Sequence, residues 1–265
     1  KMGTTNGKVP GRVKYTFAFG ALGKDLIYGM MATFAMIYFT DVLKVSPGFV
    51  GIVFFVAKLW DAFNDLFMGM IVDNTRSRFG KFVPWLVIGT LVNSVVFVVL
   101  FTDFKLTGTS LCIFVAVIYV LWGMTYTIMD VPYWSWLPNL TNDPHEREKV
   151  SVIPRFFASL AGFSIGVFGL SMINGMDKIF GNGDRTAGFR MVALVISILF
   201  IFTISVTIIN VKEKVTEKAA EHTSFKQIIN ILFKNKQLIA YIGLLLAYNL
   251  CMQIVNGIII YYFKY

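Results

Sequence analysis

"GFRMVALVISILFIFTISVTII", residues 188–209, is a run of 22 residues in which Arg190 is the only charged side chain. An apolar run of about 18 residues or more is typical of a helix that spans a membrane. The composition agrees, since 56% of the residues are hydrophobic, 16% aromatic and only 15% charged. A soluble domain carries about a quarter charged residues. The sequence therefore predicts an all-α membrane protein.

Other long apolar blocks predict further membrane-spanning helices on both sides of this run. Seven spans are predicted, at about residues 20–41, 49–71, 84–102, 110–137, 154–176, 188–209 and 239–263. We interpret residues 1–209 as a six-helix transmembrane bundle, 210–238 as a cytoplasmic linker and 239–265 as the first helix of a second bundle. Because a transport path needs walls on both sides, we expect the chain to be part of a longer protein.

Positive charges are distributed unevenly among the loops. The 2–3 loop contains Arg76, Arg78 and Lys81, and the 6–7 loop contains six lysines, whereas the loops between spans 1–2, 3–4 and 5–6 contain one or two basic residues each. Basic loops face the cytoplasm, so the N-terminus and the longest loop are predicted to be cytoplasmic in a plasma membrane. The net charge of +9 has the same origin and does not require a nucleic-acid partner.

The 6–7 linker contains one amphipathic segment, "TSFKQIINILFKNK", at residues 223–236. Its apolar residues recur at helical spacing and its lysines supply positive charge. This pattern predicts a short helix that lies on the cytoplasmic surface of the membrane and contacts lipids. A disordered linker is the alternative.

The segment "KLWDAFNDLFMGMIVD", residues 58–73, places Asp61 and Asp65 one helical turn apart in an apolar span. Two such carboxylates repel, so one is protonated, or one pairs with a cation of the protein, or both bind a cation from solution. A hard cation such as Na⁺ prefers oxygen ligands, which Thr127 on span 4 and the adjacent Asn64 could add. A proton could use the same carboxylates, and an internal salt bridge remains the structural alternative.

A second segment, "WGMTYTIMDVPYWSW" at residues 122–136, combines a carboxylate with several aromatic side chains. A sugar is bound by carboxylates that accept from its hydroxyls and by an aromatic face under the C–H side of its ring. Asp25, Asp130, Arg155 and Trp134 would meet this need. The alternative for Trp134 is the belt of aromatic residues at a membrane interface.

Five segments carry a family resemblance: "GALGKD" at 20–25, "WDAFND" at 60–65, "TRSRFGKFVPW" at 75–85, "WGMTYTIMD" at 122–130 and "PRFFASLAG" at 154–162. In their order and approximate spacing they resemble the glycoside–pentoside–hexuronide:cation symporters, a family of the major facilitator superfamily. The resemblance extends from span 1 to span 7. It implies twelve helices in two six-helix bundles with alternating access to a central site, so that spans 8–12 have no counterpart here.

The resemblance also implies roles for individual residues. Asp61, Asp65 and Thr127 match the cation ligands, and Asn64 matches a residue beside them. The positions implied for sugar contact are Lys24, Asp25, Asp130, Trp134 and Arg155, with Tyr126 beside them. The implied activity is import of an α-galactoside such as melibiose, coupled to Na⁺, Li⁺ or H⁺. A symporter for another glycoside, pentoside or hexuronide is the alternative.

Two other classes of protein fit the sequence less well. A receptor-like or channel-like seven-helix protein would have its N-terminus outside, which the basic loops oppose. A membrane-embedded enzyme would need a nucleophile–base pair or a histidine-rich metal motif, and the sequence offers neither. We therefore expect a transporter that is not an enzyme and that uses no cofactor apart from the coupling cation.

Overall fold

The computed structural model of the protein describes residues 8–181 and 185–213 and parts of the stretch 234–251. The chain divides into two units, Lys1–Glu217 and Lys218–Tyr265. The described residues of the first unit form six long helices: α1 Gly11–Ile37, α2 Pro47–Asn74, α3 Val83–Leu100, α4 Gly108–Trp136, α5 Pro144–Phe180 and α6 Arg185–Asn210. A π-helical turn, Tyr38–Val42, continues α1, and a 3-10 turn, Leu137–Leu140, continues α4.

These helices confirm the predicted all-α fold, and each contains most of one of the first six predicted spans. Two helices begin earlier than expected: α1 begins at Gly11 and α5 at Pro144. The start of α5 has a clear local cause, because Asp143 Oδ1 accepts a hydrogen bond from the backbone N–H of His145 at 3.0 Å. This contact caps the helix, and Pro144 suits its first position. The polar segment before the apolar run is therefore helical as well.

Four of the described helices are long and apolar enough to cross a membrane, namely α3, α4 with its 3-10 turn, α5 and α6. Helices α1 and α2 do not reach the same apolarity. The reason is that α1 contains Lys24 and Asp25, and α2 contains Lys58, Asp61 and Asp65, near their centres. Four of these charged residues, Lys24, Asp25, Asp61 and Asp65, are ones that the sequence analysis predicts to be functional.

The second unit is described only in part. Residues 236–241 are helical, and the Asn235 side chain caps their start by accepting from the Leu238 backbone N–H at 3.1 Å. Most of the predicted surface helix at 223–236 and most of the seventh span at 239–263 lie outside the described residues.

Small residues allow close contacts between helices of the first unit. A Cβ atom on Gly23 of α1 would overlap Oγ1 of Thr203 on α6. A Cβ atom on Gly89 of α3 would lie 2.7 Å from the backbone nitrogen of Met129 on α4. Membrane helices commonly use such residues to bring their backbones together. The positions of α1 and α4 in the bundle therefore depend on glycines.

Tyr133 ties α4 to α1 beside the charged residues of α1. Its buried hydroxyl donates a hydrogen bond to the backbone carbonyl of Phe17. The two rings stack with centroids 4.5 Å apart and planes 19° apart, and Trp136 meets the Phe17 ring edge-on at 5.9 Å. Because Phe17 lies about two helical turns before Lys24, this aromatic contact fixes the spacing of α1 and α4 near that lysine.

The end of the bundle that the loop charges predict to be cytoplasmic is held by polar contacts. Lys14 of α1 forms an ion pair with Glu146 in the first turn of α5. The carboxylate of Glu213, which follows α6, accepts hydrogen bonds from the backbone N–H groups of Lys81 at 2.6 Å and Phe82 at 3.0 Å. These bonds occupy free donors at the start of α3, so the chain after α6 is attached to the 2–3 loop.

Candidate functional site

Lys24 is the centre of a charged cluster between α1 and α4. Its side chain is 2% exposed, and its Nζ lies 3.0 Å from Oδ2 of Asp25 and 2.8 Å from Oδ1 of Asp130. Nζ also donates to the hydroxyl of Tyr126 at 3.4 Å. One buried ammonium group is thus paired with two carboxylates. Asp25 and Asp130 therefore each form an internal salt bridge with Lys24.

Aromatic rings surround the same ammonium group. The Nζ of Lys24 lies 4.8 Å from the ring centroid of Trp134, 5.6 Å from that of Tyr133 and 5.8 Å from that of Tyr126. These distances are within the range of cation–π attraction. Five of the residues predicted for sugar contact therefore lie together: Lys24, Asp25, Tyr126, Asp130 and Trp134.

Arg155 differs from the other predicted sugar contacts. It lies on α5 with an exposed side chain, and it forms no ion pair with any residue that the structure describes. The carboxylates of Asp25 and Asp130 pair with Lys24 instead. The structure does not bring Arg155 into the Lys24 cluster, and its role stays a prediction.

The carboxylate pair of α2 faces α4. Thr127 Oγ1 donates a hydrogen bond of 2.9 Å to Oδ1 of Asp65. Asp61 lies one turn before Asp65 on α2, and Gly123 lies one turn before Thr127 on α4. A Cβ atom on Gly123 would be only 2.8 Å from Oδ1 of Asp61. The absence of a side chain at Gly123 thus leaves room for the Asp61 carboxylate. The two aspartates are held against α4 at equivalent steps of the two helices.

The remaining neighbours of this pair are a lysine and an amide. Lys58 Nζ lies 3.2 Å from Oδ2 of Asp61, but its side chain is 59% exposed. An exposed pair of this kind contributes about 0.2–1 kcal/mol, so it neutralises Asp61 only weakly. The Nδ2 group of Asn64 is buried and donates to no acceptor within the described residues. The pair is therefore rich in oxygen atoms and incompletely neutralised.

A short segment of α4 connects the two clusters. Thr127 contacts Asp65 of the α2 pair, and Asp130, three residues later, contacts Lys24 of the α1 cluster. Residues three apart lie on neighbouring positions of one helix face. A shift of this segment would therefore change the contacts of both clusters.

Sequence reasoning missed Gly123 and Tyr28. Gly123 precedes Thr127 by four residues in the "WGMTYT" segment, so its position on the same helix face was a usable signal. Tyr28 is a single aromatic residue one turn beyond Asp25, and only its ring contacts with α4 distinguish it from a lipid-facing residue.

Comparison with known proteins gives a consistent family assignment. The sequence profile of the family described as MFS/sugar transport protein matches residues 16–265. The chain is 29% identical to the lactose permease of Lactobacillus helveticus over 98% of this chain and 44% of that protein. It is 28% identical to the isoprimeverose transporter of Lactiplantibacillus pentosus over 97% of this chain and 53% of that protein. It is 29% identical to the putative glycoside/cation symporter YagG of Escherichia coli over 86% of this chain and 49% of that protein.

The chain spans about half the length of the curated relatives that it matches. The family match covers nearly all of the 265 residues, including α2 to α6 and the part of α1 from residue 16 onward. Multi-pass helices, buried charges between α1 and α4, and a carboxylate pair on α2 accompany that match. The chain therefore belongs to the MFS/sugar transport protein family of membrane transporters.

Proposed function

We propose that the protein is a cation-coupled sugar symporter that imports melibiose or a related galactoside by alternating access. The observation that carries this proposal is the α4 segment from Thr127 to Asp130, which contacts the α2 carboxylates at one end and the Lys24 cluster at the other. Coupled transport requires that two ligands influence each other's affinity, and a shared rigid segment gives them a physical connection.

The Lys24 cluster has the chemistry of a sugar subsite. Carboxylates accept hydrogen bonds from sugar hydroxyls, and the Trp134 ring offers a face for the C–H side of a pyranose. In the described structure Lys24 forms ion pairs with both Asp25 and Asp130. Sugar hydroxyls that enter the cluster would exchange for part of these contacts, so that the buried carboxylates keep hydrogen-bond partners throughout. Arg155 is proposed as a further sugar contact that approaches when the substrate is bound.

The α2 pair has the chemistry of a cation site. Asp61, Asp65 and Thr127 supply carboxylate and hydroxyl oxygens, the donors that Na⁺ and Li⁺ prefer, and Asn64 adds an amide at the edge. A proton could occupy either carboxylate instead, so the coupling ion is Na⁺, Li⁺ or H⁺. Binding of a positive charge relieves the repulsion between the carboxylates, which gives the site a reason to take up an ion.

The names of the relatives agree with this class of substrate. A lactose permease, an isoprimeverose transporter, a raffinose carrier protein and a putative glycoside/cation symporter are among the similar proteins. These names favour a glycoside over a hexuronide. We further propose a bacterial plasma-membrane location with a cytoplasmic N-terminus, on the basis of the loop charges.

The test is sugar uptake by membrane vesicles that contain the intact gene product. Labelled melibiose, lactose and raffinose are offered while Na⁺, Li⁺ and H⁺ gradients are imposed one at a time. We expect one of these gradients to drive accumulation of sugar above its external concentration. Vesicles that contain the Asp130→Asn variant should not accumulate sugar. Vesicles in which no gradient accumulates any of these sugars would contradict the proposed function.

A further inference from the structure

Tyr28 lies on α1 about 5 Å along the helix axis from the Lys24–Asp25 pair, one turn further from the N-terminus. Its side chain is 43% exposed, yet it is not isolated at a lipid-facing position. Its ring centroid lies 5.8 Å from that of Tyr126 and 6.4 Å from that of Trp122, both on α4. Because the Tyr126 hydroxyl accepts from Lys24, Tyr28 lies on the same face of the bundle as the sugar cluster.

The two α4 rings give Tyr28 a firm backing. Trp122 and Tyr126 are stacked with centroids 5.5 Å apart and planes 26° apart, and both are buried. The Trp122 ring also contacts the ring of Tyr119, with centroids 6.1 Å apart. The Tyr119 ring in turn stacks on Phe54 of α2, with centroids 4.2 Å apart. Tyr28 is thus an exposed ring next to the buried rings of Trp122, Tyr126 and Tyr119.

A buried donor adds a second reason to expect a polar ligand near this ring. The indole Nε1 of Trp122 is buried and has no hydrogen-bond partner among the described residues. A donor left in this state is costly and calls for an explanation in a native protein. A sugar hydroxyl admitted by a small movement of the Tyr28 ring would supply the missing acceptor.

We propose that Tyr28, backed by Trp122 and Tyr126, is the platform for the second ring of a glycoside. The inference rests on the proposed function, in which the Lys24 cluster holds the first ring. That cluster has the charged groups for one pyranose, and the next turn of α1 offers an aromatic face with one phenolic hydroxyl. A linked second ring would stack on this face by its C–H side, so Tyr28 makes the site prefer a disaccharide to a monosaccharide.

The experiment compares sugars that differ only in the second ring. Equilibrium binding of melibiose and of methyl α-galactoside is measured on the purified intact gene product, with Tyr28→Ala and Tyr28→Phe. Tyr15→Ala is the matched control, because Tyr15 is an exposed tyrosine of the same helix. We expect Tyr28→Ala to weaken melibiose binding about tenfold and methyl α-galactoside binding less than twofold, a change in proportion to the loss of one aromatic stacking contact. Tyr28→Phe and Tyr15→Ala should stay within about twofold of the unaltered protein for both sugars.

Two results would overturn the inference in different ways. If Tyr28→Ala weakens both sugars equally, or neither, Tyr28 is not a platform for the second ring, while the proposed function stands. If the unaltered protein binds neither sugar with Na⁺, with Li⁺ or with H⁺ alone, the proposed galactoside site is refuted. The proposed role of Tyr28 is then refuted with it.

Discussion

Gly123→Ala should weaken cation coupling while leaving the sugar contacts in place. The new methyl carbon would start 2.8 Å from Oδ1 of Asp61, whereas ordinary contact begins near 3.4 Å. The carboxylate must therefore move by about 0.6 Å, and a binding site tolerates displacements of only about 0.5 Å. A loss of about 1.4 kcal/mol in cation binding would raise the half-saturating cation concentration about tenfold. The helix itself should gain stability, because Ala is the better helix former.

The assay is the cation concentration that gives half-maximal stimulation of sugar binding by the purified intact gene product. Gly69→Ala is the matched control, since it adds a methyl group to α2 with no atom within 4 Å of the new carbon. The control should leave the half-saturating concentration within about twofold. An unchanged cation dependence in Gly123→Ala, or an equal change in Gly69→Ala, would refute a role of Gly123 in cation binding. A thermal unfolding curve for each variant separates a coupling defect from a folding defect.

The remaining predictions concern the sugar cluster, its buried lysine and the topology. Asp130→Ala should abolish sugar binding, because each sugar hydroxyl without its acceptor costs about 1–3 kcal/mol. Trp134→Ala should weaken sugar binding less. Normal sugar affinity in the Asp130→Ala protein would place the sugar site elsewhere. Lys24→Met leaves two carboxylates unpaired and should lower the free energy of unfolding by about 3–5 kcal/mol. The double variant Lys24→Met with Asp130→Asn should recover part of that stability. An unchanged unfolding midpoint in Lys24→Met would refute the stabilising role of the lysine. A reporter fused near Glu217 should read cytoplasmic and one near Asn182 external, and the opposite pattern would reverse the orientation.

The helices could be predicted from the sequence because membrane spans are long, uncharged and apolar. The run at 188–209 needs no tertiary information to be recognised, and the structure places a helix over all of it. Helix ends were less predictable, since the segment before Pro154 is polar and reads as a loop. Its helical state depends on the cap at Asp143, a local contact that hydrophobicity does not report.

The composition of the candidate site could be predicted, but its pairing could not. The family resemblance and the intramembrane charges both point to Lys24, Asp25 and Asp130. Whether Lys24 pairs with a neighbour on its own helix, with α4 or with both depends on how closely α1 and α4 approach. That approach is set by packing, such as the contact of Tyr133 with Phe17, and no pattern within one helix encodes it.

The central claim is that Asp61 and Asp65 bind the coupling cation separately from the sugar. The most direct test is sugar affinity of the purified Asp61→Cys gene product with and without the cation that stimulates the unaltered protein. Because linkage is reciprocal, loss of the cation site should remove stimulation but not the sugar contacts on other helices. We predict that Asp61→Cys binds sugar with the same affinity in both conditions. Retained binding with full cation stimulation would contradict the account.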